Sequence, residues 1–256
     1  MNVVLGGTSR LAMSIKEISS NFKYLSRNEL EYENLKKVLK ESKYIVILVG
    51  KMWGQDLSIN YKIVEDVVNL IDNQKVFFAS SIAVYGRKNF ENYDEDIEPN
   101  PTDEYGKSKL KAENILQESV KNYIIARIGT LYGKQYEDYI KMINFIKIWP
   151  FYFGSGQQKI TFTYVKDVAN FIVNNNYSGI VNLTSPGYRL IDVIESIKEI
   201  LNIKKPTIKM PTFALKLLFK DKIEPLLLSR SFNIEKALKA GFRVTDLKTS
   251  LKELIF

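Results

Sequence analysis

Tyr105 and Lys109 stand four residues apart in the stretch NPTDEYGKSKLKAEN, which begins at Asn100. Four residues make about one helical turn, so a helix here stacks both side chains on one face. Ala112 and Leu116 continue that face, which therefore points inward. Pro101-Thr102-Asp103-Glu104 supplies the helix start, with Thr102 the expected N-cap and two acids in the first turn. A free phenol titrates near pH ~10. An ammonium within a few ångströms favours phenolate and is expected to lower the Tyr105 pKa toward the working range. Such a tyrosine can exchange a proton with a sugar or alcohol oxygen. Upstream, KVFFASSIAVYG (75–86) reads as a buried strand ending at Ser80-Ser81. From there the Ser81 hydroxyl can hydrogen-bond the same oxygen and hold it in line with Tyr105.

Composition narrows the alternatives. The chain contains no cysteine and no histidine. Disulfides, thiol nucleophiles and zinc–thiolate centres are excluded, and so are the commonest general base and metal ligand. Acid–base chemistry falls to Tyr, Lys, Asp or Glu, and no metal site is expected. The formal charge of +8 suggests anionic partners. Lysines alternate with glutamates, as in YENLKKVLKE, and no cluster of five or more basic residues occurs, so nucleic acid is not the expected partner. No apolar run is long enough for a bilayer, and Met1 leads directly into a strand-like segment; a cytoplasmic location is the expectation.

The elements that must position these residues follow from hydropathy. NVVL, YIVILV, KVFFAS, YIIARI and GIVNLT are apolar without alternation, as in strands of a parallel sheet buried on both faces. Helix-periodic segments near 10–19, 31–41, 57–72 and 103–121 separate them. The expected fold is α/β: a doubly wound parallel sheet of the Rossmann type, with a small, mostly helical C-terminal lobe. The boundaries are 1–133 with about 161–185 for the dinucleotide-binding part, and about 134–160 with 186–256 for the substrate lobe. The aromatic run Trp149, Phe151, Tyr152 and Phe153 reads as core of that lobe. The N-terminal MNVVLGGTSRLAMSI has the strand–turn–helix shape of a phosphate cradle, yet at G-x-x-G-x-x-G spacing it holds Gly6, Ser9 and Ala12.

Taken together, GGTSRLA, SSIAVYG, YGKSKLKAE, ARIGTLYG, TFTYVKDVANFI and SRSFNIEKALKAGF resemble the extended short-chain dehydrogenase/reductases, the NAD-dependent epimerase/dehydratase family. The resemblance runs through essentially the whole chain. It implies that Ser81, Tyr105 and Lys109 form a catalytic triad, that Lys109 also holds the nicotinamide ribose, and that hydride moves to or from a carbon of a nucleotide-linked sugar. It makes GGTSRLA a degenerate pyrophosphate loop, with Gly6, Gly7, Thr8, Ser9, Arg10 and Leu11 along the phosphates. Val49, Gly50, Ser80 and Ile128, at strand ends, are further expected cofactor contacts. The second strand ends in Ser26-Arg27 where NAD enzymes place an acid for the ribose 2′-OH. A hydroxyl and guanidinium groups suit a 2′-phosphate, so NADP(H) is expected over NAD(H).

The same likeness narrows the reaction. The short connection NELEYENLKKVLKESK resembles the dTDP-4-dehydrorhamnose reductase branch. Sugar 4,6-dehydratases carry Asp-Glu after the catalytic Ser or Thr, where Ile82 and Ala83 stand here; epimerase/reductases of the fucose-synthase type use Cys and His, both absent. The expectation is an NADP(H)-dependent reductase of a keto/hydroxy carbon on a nucleotide sugar. The alternatives are an NAD-retaining 4-epimerase and a non-catalytic NAD(P)-binding regulator on the same fold. Thr130 stands where relatives often have a sugar-contacting Asn. Ile160 replaces the usual diphosphate Arg, leaving Lys159 or Arg230 to supply the charge. A homodimer through helices near 57–72 and 103–121 is a further expectation from the family.

Overall fold

The unalternating apolar runs become strands covered on both faces. The computed structural model describes residues 1–211, 213 and 227–256. The first half of the chain forms β1 (Asn2–Leu5), α1 (Arg10–Ile18), β2 (Phe22–Leu25), α2 (Tyr32–Lys40), β3 (Tyr44–Ile47), α3 (Ile59–Val68), β4 (Lys75–Ser81), β5 (Phe90–Tyr93), α4 (Glu104–Ser119) and β6 (Tyr123–Ile128). The middle forms β7 (Thr130–Tyr132), α5 (Glu137–Ile148), β8 (Phe151–Tyr152), β9 (Lys159–Ile160), β10 (Phe162–Tyr164), α6 (Val165–Asn174) and β11 (Gly179–Leu183). Then follow β12 (Tyr188–Arg189), α7 (Leu190–Ile200), β13 (Ile208–Lys209), β14 (Arg230–Phe232), α8 (Glu235–Lys239) and α9 (Leu247–Ile255).

Six strands make one parallel sheet in the order β11-β6-β4-β3-β1-β2. The order reverses at β1, whose neighbours are β2 and β3, and in such sheets the crevice beyond the carboxyl ends of these strands is where ligands sit. Register brings those ends level: Leu5 lies opposite both Leu25 and Ile47, and Ile47 opposite Phe78. Successive side chains alternate between two cores. Val4, Val46, Phe77 and Ala126 pack with Leu11, Ala12 and Ile15 of α1 and Val168, Ala169 and Ile172 of α6. Val3, Leu5, Ile45, Ile47 and Phe78 pack with Leu35 and Leu39 of α2, Ile63 and Val67 of α3, and Ala112 and Leu116 of α4.

A third cluster gathers Tyr132, Ile143, Phe151, Phe153, Phe162, Leu190, Ile197 and Leu251. Phe151 and Phe153 are buried there, whereas Trp149 of the same aromatic run is exposed. Among the described residues no helix is long and apolar enough to cross a membrane.

The start of α4 differs from the sequence expectation. Asp103, not Thr102, is the N-cap, and its carboxylate accepts the Gly106 N–H at 2.6 Å. Either residue type caps a helix well. The Thr102 hydroxyl is instead used as acceptor for the Arg87 N–H at 2.9 Å.

Candidate active site

Beyond the sheet's carboxyl ends, β1 turns sharply into α1. The N–H groups of Gly6 and Gly7 both donate to Leu25 O, at 3.0 and 2.8 Å, which ties the turn to the end of β2. Gly6 has φ +92°, and a Cβ there would lie 3.0 Å from Val49 N; one on Gly7 would lie 2.7 Å from Tyr24 Cβ. Both positions need glycine. Ser9, in place of the middle glycine, is the helix cap: its Oγ accepts the Ala12 N–H at 3.2 Å. Ala12 is fully buried. The first-turn amides of Arg10 and Leu11 have no partner within the helix, and the turn is narrow enough for backbone to approach a ligand. These features fit a pyrophosphate. Thr8 is exposed, Leu11 is buried in the core, and the Arg10 guanidinium lies over the Tyr136 ring, 5.0 Å from its centre.

The strand ends continue the same line. Gly50 follows β3, and a Cβ on it would sit 3.0 Å from Lys109 Nζ and 3.2 Å from Asn60 Oδ1. Lys109 Nζ, 4% exposed as a residue, donates to Ala79 O at 2.9 Å. The Ser81 hydroxyl, two residues farther along β4, hydrogen-bonds Tyr105 and accepts the Ala83 N–H at 3.2 Å. Gly106 explains how α4 comes so near: a Cβ there would fall 2.6 Å from Ala83 O and 2.9 Å from Pro101 Cβ. The close approach of α4 to the short turn Ile82–Tyr85 sets Tyr105 beside Ser81. Thus Gly6 lies against Val49, Gly50 against Lys109, and Ser81 against Tyr105, with the three contacts at or just past the carboxyl ends of β1, β3 and β4. Ile128, opposite Ser81 on β6, is buried in the sheet core.

The electrostatics correct one expectation. The Tyr105 pKa is raised, not lowered: burial disfavours phenolate, Asp103 adds to that, and the hydrogen bond with Ser81 only partly opposes it. Lys109 spends a hydrogen bond on Ala79 O. Its own ammonium is pulled down to about 8 by burial, with Glu113 acting against the shift. Tyr105 is therefore a neutral phenol at neutral pH, competent to donate a proton as it stands.

Glu113 escaped the sequence reading, although Tyr105, Lys109 and Glu113 repeat every four residues along α4. It is fully buried and holds Arg127 of β6 through Nη2 at 2.8 Å and Nε at 3.2 Å to each oxygen. Ser80 Oγ donates to the same carboxylate, and Arg127 Nη1 donates to Tyr85 Oη at 2.9 Å. So the Ser80 hydroxyl is committed beneath the sheet ends. Asn60, also unforeseen, is fully buried; it accepts the Lys51 N–H at 2.7 Å and donates to Ser108 Oγ at 2.8 Å, joining α3 to α4.

The backbones carrying the two cations expected near substrate also come close. Lys159 N–H donates to Ser229 Oγ at 3.1 Å, and a Cβ on Gly187 would touch both Arg230 O and Lys159 Cβ. Lys159 Nζ pairs with Glu91 at 2.5 Å. Arg230 is buried, and burial together with the nearby Arg87 lowers its pKa. Arg87 pairs with Asp103 at 2.5 Å, beside Tyr105. Thr130 is partly exposed, and its N–H donates to Thr161 O at 3.1 Å. At the far end, Ser26 caps the turn Arg27–Glu29, and Glu29 Oε2 accepts both Ser26 N–H at 2.8 Å and Ser26 Oγ–H at 2.6 Å. Arg27 is exposed.

Residues 30–175 match the NAD dependent epimerase/dehydratase family. A provisionally named UDP-glucose 4-epimerase of Methanocaldococcus jannaschii is 33% identical over 134 residues, 46% of this chain and 44% of that protein. The chain spans about half the length of the curated relatives it matches. The human epimerase family protein SDR39U1 (isoform 2), solved with NADPH, superimposes with a TM-score of 0.82 at 17% identity, covering 100% of this chain and 99% of that one. The UDP-glucuronic acid 4-epimerase of Bacillus cereus, solved with NAD, gives 0.74 at 18% identity, covering 99% and 97%. At these identities the structures share the fold.

Proposed function

This chain belongs to the NAD dependent epimerase/dehydratase family, and we propose that it is a nicotinamide-dependent enzyme inverting a hydroxyl-bearing carbon of a nucleotide-activated sugar, a 4-epimerase. The observation that carries the proposal is the pairing of the Ser81 and Tyr105 hydroxyls at the end of β4, with the Lys109 ammonium on the same helical face. When bound, the dinucleotide supplies the acceptor and donor of hydride. Once its own proton has been lost to solvent, the Tyr105 phenolate would take the proton from the sugar hydroxyl as that carbon is oxidised and return it as the carbon is reduced. Ser81 would hold the oxygen in line with Tyr105. Lys109 steadies the phenolate that burial opposes. Gly6, Gly7 and the first turn of α1 would hold the pyrophosphate. Arg230, with Arg87 near it, would face the diphosphate of the sugar nucleotide. The names of the relative from Methanocaldococcus and the neighbour from Bacillus, both 4-epimerases, agree with this choice.

A second reading, a keto-sugar reductase, is favoured by the raised Tyr105 pKa, since a phenol that keeps its proton is ready to donate it to a keto oxygen. The short connection from β2 to β3 favours the same branch. One experiment separates the two. The protein is incubated with reduced and oxidised nicotinamide dinucleotides and a panel of UDP-, dTDP- and GDP-hexoses and 4-keto-hexoses, and products are followed by NMR. A 4-epimer formed with no net change in cofactor supports the epimerase; stoichiometric oxidation of cofactor with loss of a keto sugar supports the reductase. Absence of both, with dinucleotide bound, overturns the catalytic proposal.

A further inference from the structure

Tyr105 is approached by one charge that the proposed chemistry leaves unused. Asp103 stands two residues before it, and its Oδ1 caps α4 by accepting the Gly106 N–H at 2.6 Å. The other oxygen, Oδ2, accepts from Arg87 Nε at 2.5 Å. Both side chains are partly shielded from solvent, with 32% of Arg87 and 24% of Asp103 exposed. Arg87 also reaches this corner through its backbone, whose N–H donates to Thr102 Oγ1 at 2.9 Å. Gly86 makes the approach possible: it has φ +86°, and a Cβ there would fall 2.5 Å from Asn100 O. The turn that begins at Ser81 is thereby fastened to the residues that begin α4, with Ser81 and Tyr105 on the two sides of the joint.

The joint also sets the charges around the phenol. Ser81 meets Tyr105 from β4, Lys109 shares its helical face, and Asp103 lies at the start of the helix. The Asp103 carboxylate opposes ionisation of the phenol and so adds to the effect of burial. Arg87 meets that carboxylate at contact distance, and Arg230 of β14 is near enough to Arg87 for the two cations to repel. We propose that Arg87 is a positioning residue of the active site: paired with Asp103, it fixes Ser81 against Tyr105 and masks the negative charge beside the phenol, and so governs how readily Tyr105 gives up its proton. This assignment rests on the reading of Tyr105 as the proton carrier.

The test needs no substrate. The full chain is labelled with ¹³C at the tyrosine Cζ, and NMR follows the ionisation of Tyr105, whose signal is the one missing from Tyr105→Phe. Wild type, Arg87→Gln, Asp103→Asn and the double variant are titrated to the highest pH at which circular dichroism shows all four folded. Arg87→Gln keeps the backbone bond to Thr102, and asparagine caps a helix as well as aspartate does. The two single variants should move Tyr105 in opposite directions. Arg87→Gln bares the carboxylate and should make the phenol a weaker acid by roughly threefold to tenfold; Asp103→Asn bares the guanidinium and should strengthen it by a similar factor. The double variant should return to within about twofold of the wild type. If the pair only holds the helix start, both single variants shift Tyr105 the same way or not at all, and either result overturns the masking role. Opposite shifts in a protein that turns over no sugar nucleotide would uphold the Arg87 assignment and overturn the proton-carrier reading alone.

Discussion

Replacing Glu113 by Gln removes one half of the ion pair on which four elements of the site converge. Glu113 belongs to α4, Ser80 to β4, Arg127 to β6 and Tyr85 to the turn that follows β4; all meet at one carboxylate and one guanidinium. Both charged side chains are almost fully buried, at 0% and 3%. The glutamine is nearly isosteric, so packing is kept, but the Arg127 charge is left without a counter-ion in the interior. Breaking a buried pair from one side costs about 3–5 kcal/mol. At about 2–4 °C per kcal/mol for a chain of this size, the melting temperature should fall by roughly 6–20 °C. The assay is thermal or urea unfolding followed by circular dichroism, with Arg127→Met and the double variant completing a cycle. The double variant should be more stable than either single one, because no orphaned charge remains. A loss under about 1 kcal/mol in Glu113→Gln, the range of an exposed pair, would mean that the Arg127 charge is not stranded in the interior.

Two further outcomes follow from the geometry. Lys109 has a folded pKa of about 8, below its ordinary value of 10.5, so its charge burdens the folded state below pH 8. The unfolded chain binds more protons between those values, and this group's contribution to stability rises as pH increases from 8 toward 10.5. Lys109→Met should flatten that rise in urea unfolding, whereas affinity for dinucleotide in the wild type should weaken above pH 8 as the ammonium is lost. Gly106→Ala inserts a methyl 2.6 Å from Ala83 O. It should cost about 1–3 kcal/mol and move Tyr105 off Ser81, lowering kcat more than it raises KM.

Much of the frame was legible because strands buried on both faces leave an unmistakable trace. The runs NVVL, KVFFAS and YIIARI became β1, β4 and β6 nearly residue for residue. The Tyr105–Lys109 spacing placed both on one face of α4 because helical geometry is local. What failed was decided by contacts across the chain. Asp103 took the cap expected of Thr102, whose hydroxyl instead accepts the Arg87 N–H from another part of the chain. The Tyr105 pKa was expected to follow the nearest cation, yet burial dominates. Glu113 carried a spacing signal, but its partner Arg127 lies on another strand. Glu29 is different. Ser26-Arg27-Asn28-Glu29 has the S-x-x-E pattern of a capping box, so the fold-back of its carboxylate was readable from the sequence.

The most direct test of the central claim is kcat for Tyr105→Phe on the nucleotide sugar the wild type accepts, with dinucleotide affinity measured in parallel. The variant keeps the ring and removes the proton-carrying oxygen. With Tyr105 carrying the proton, kcat should fall by about 10²–10⁴, with dinucleotide binding within a few-fold of wild type. Undiminished turnover in the phenylalanine variant would contradict the proton-transfer role of Tyr105, and with it the proposed chemistry.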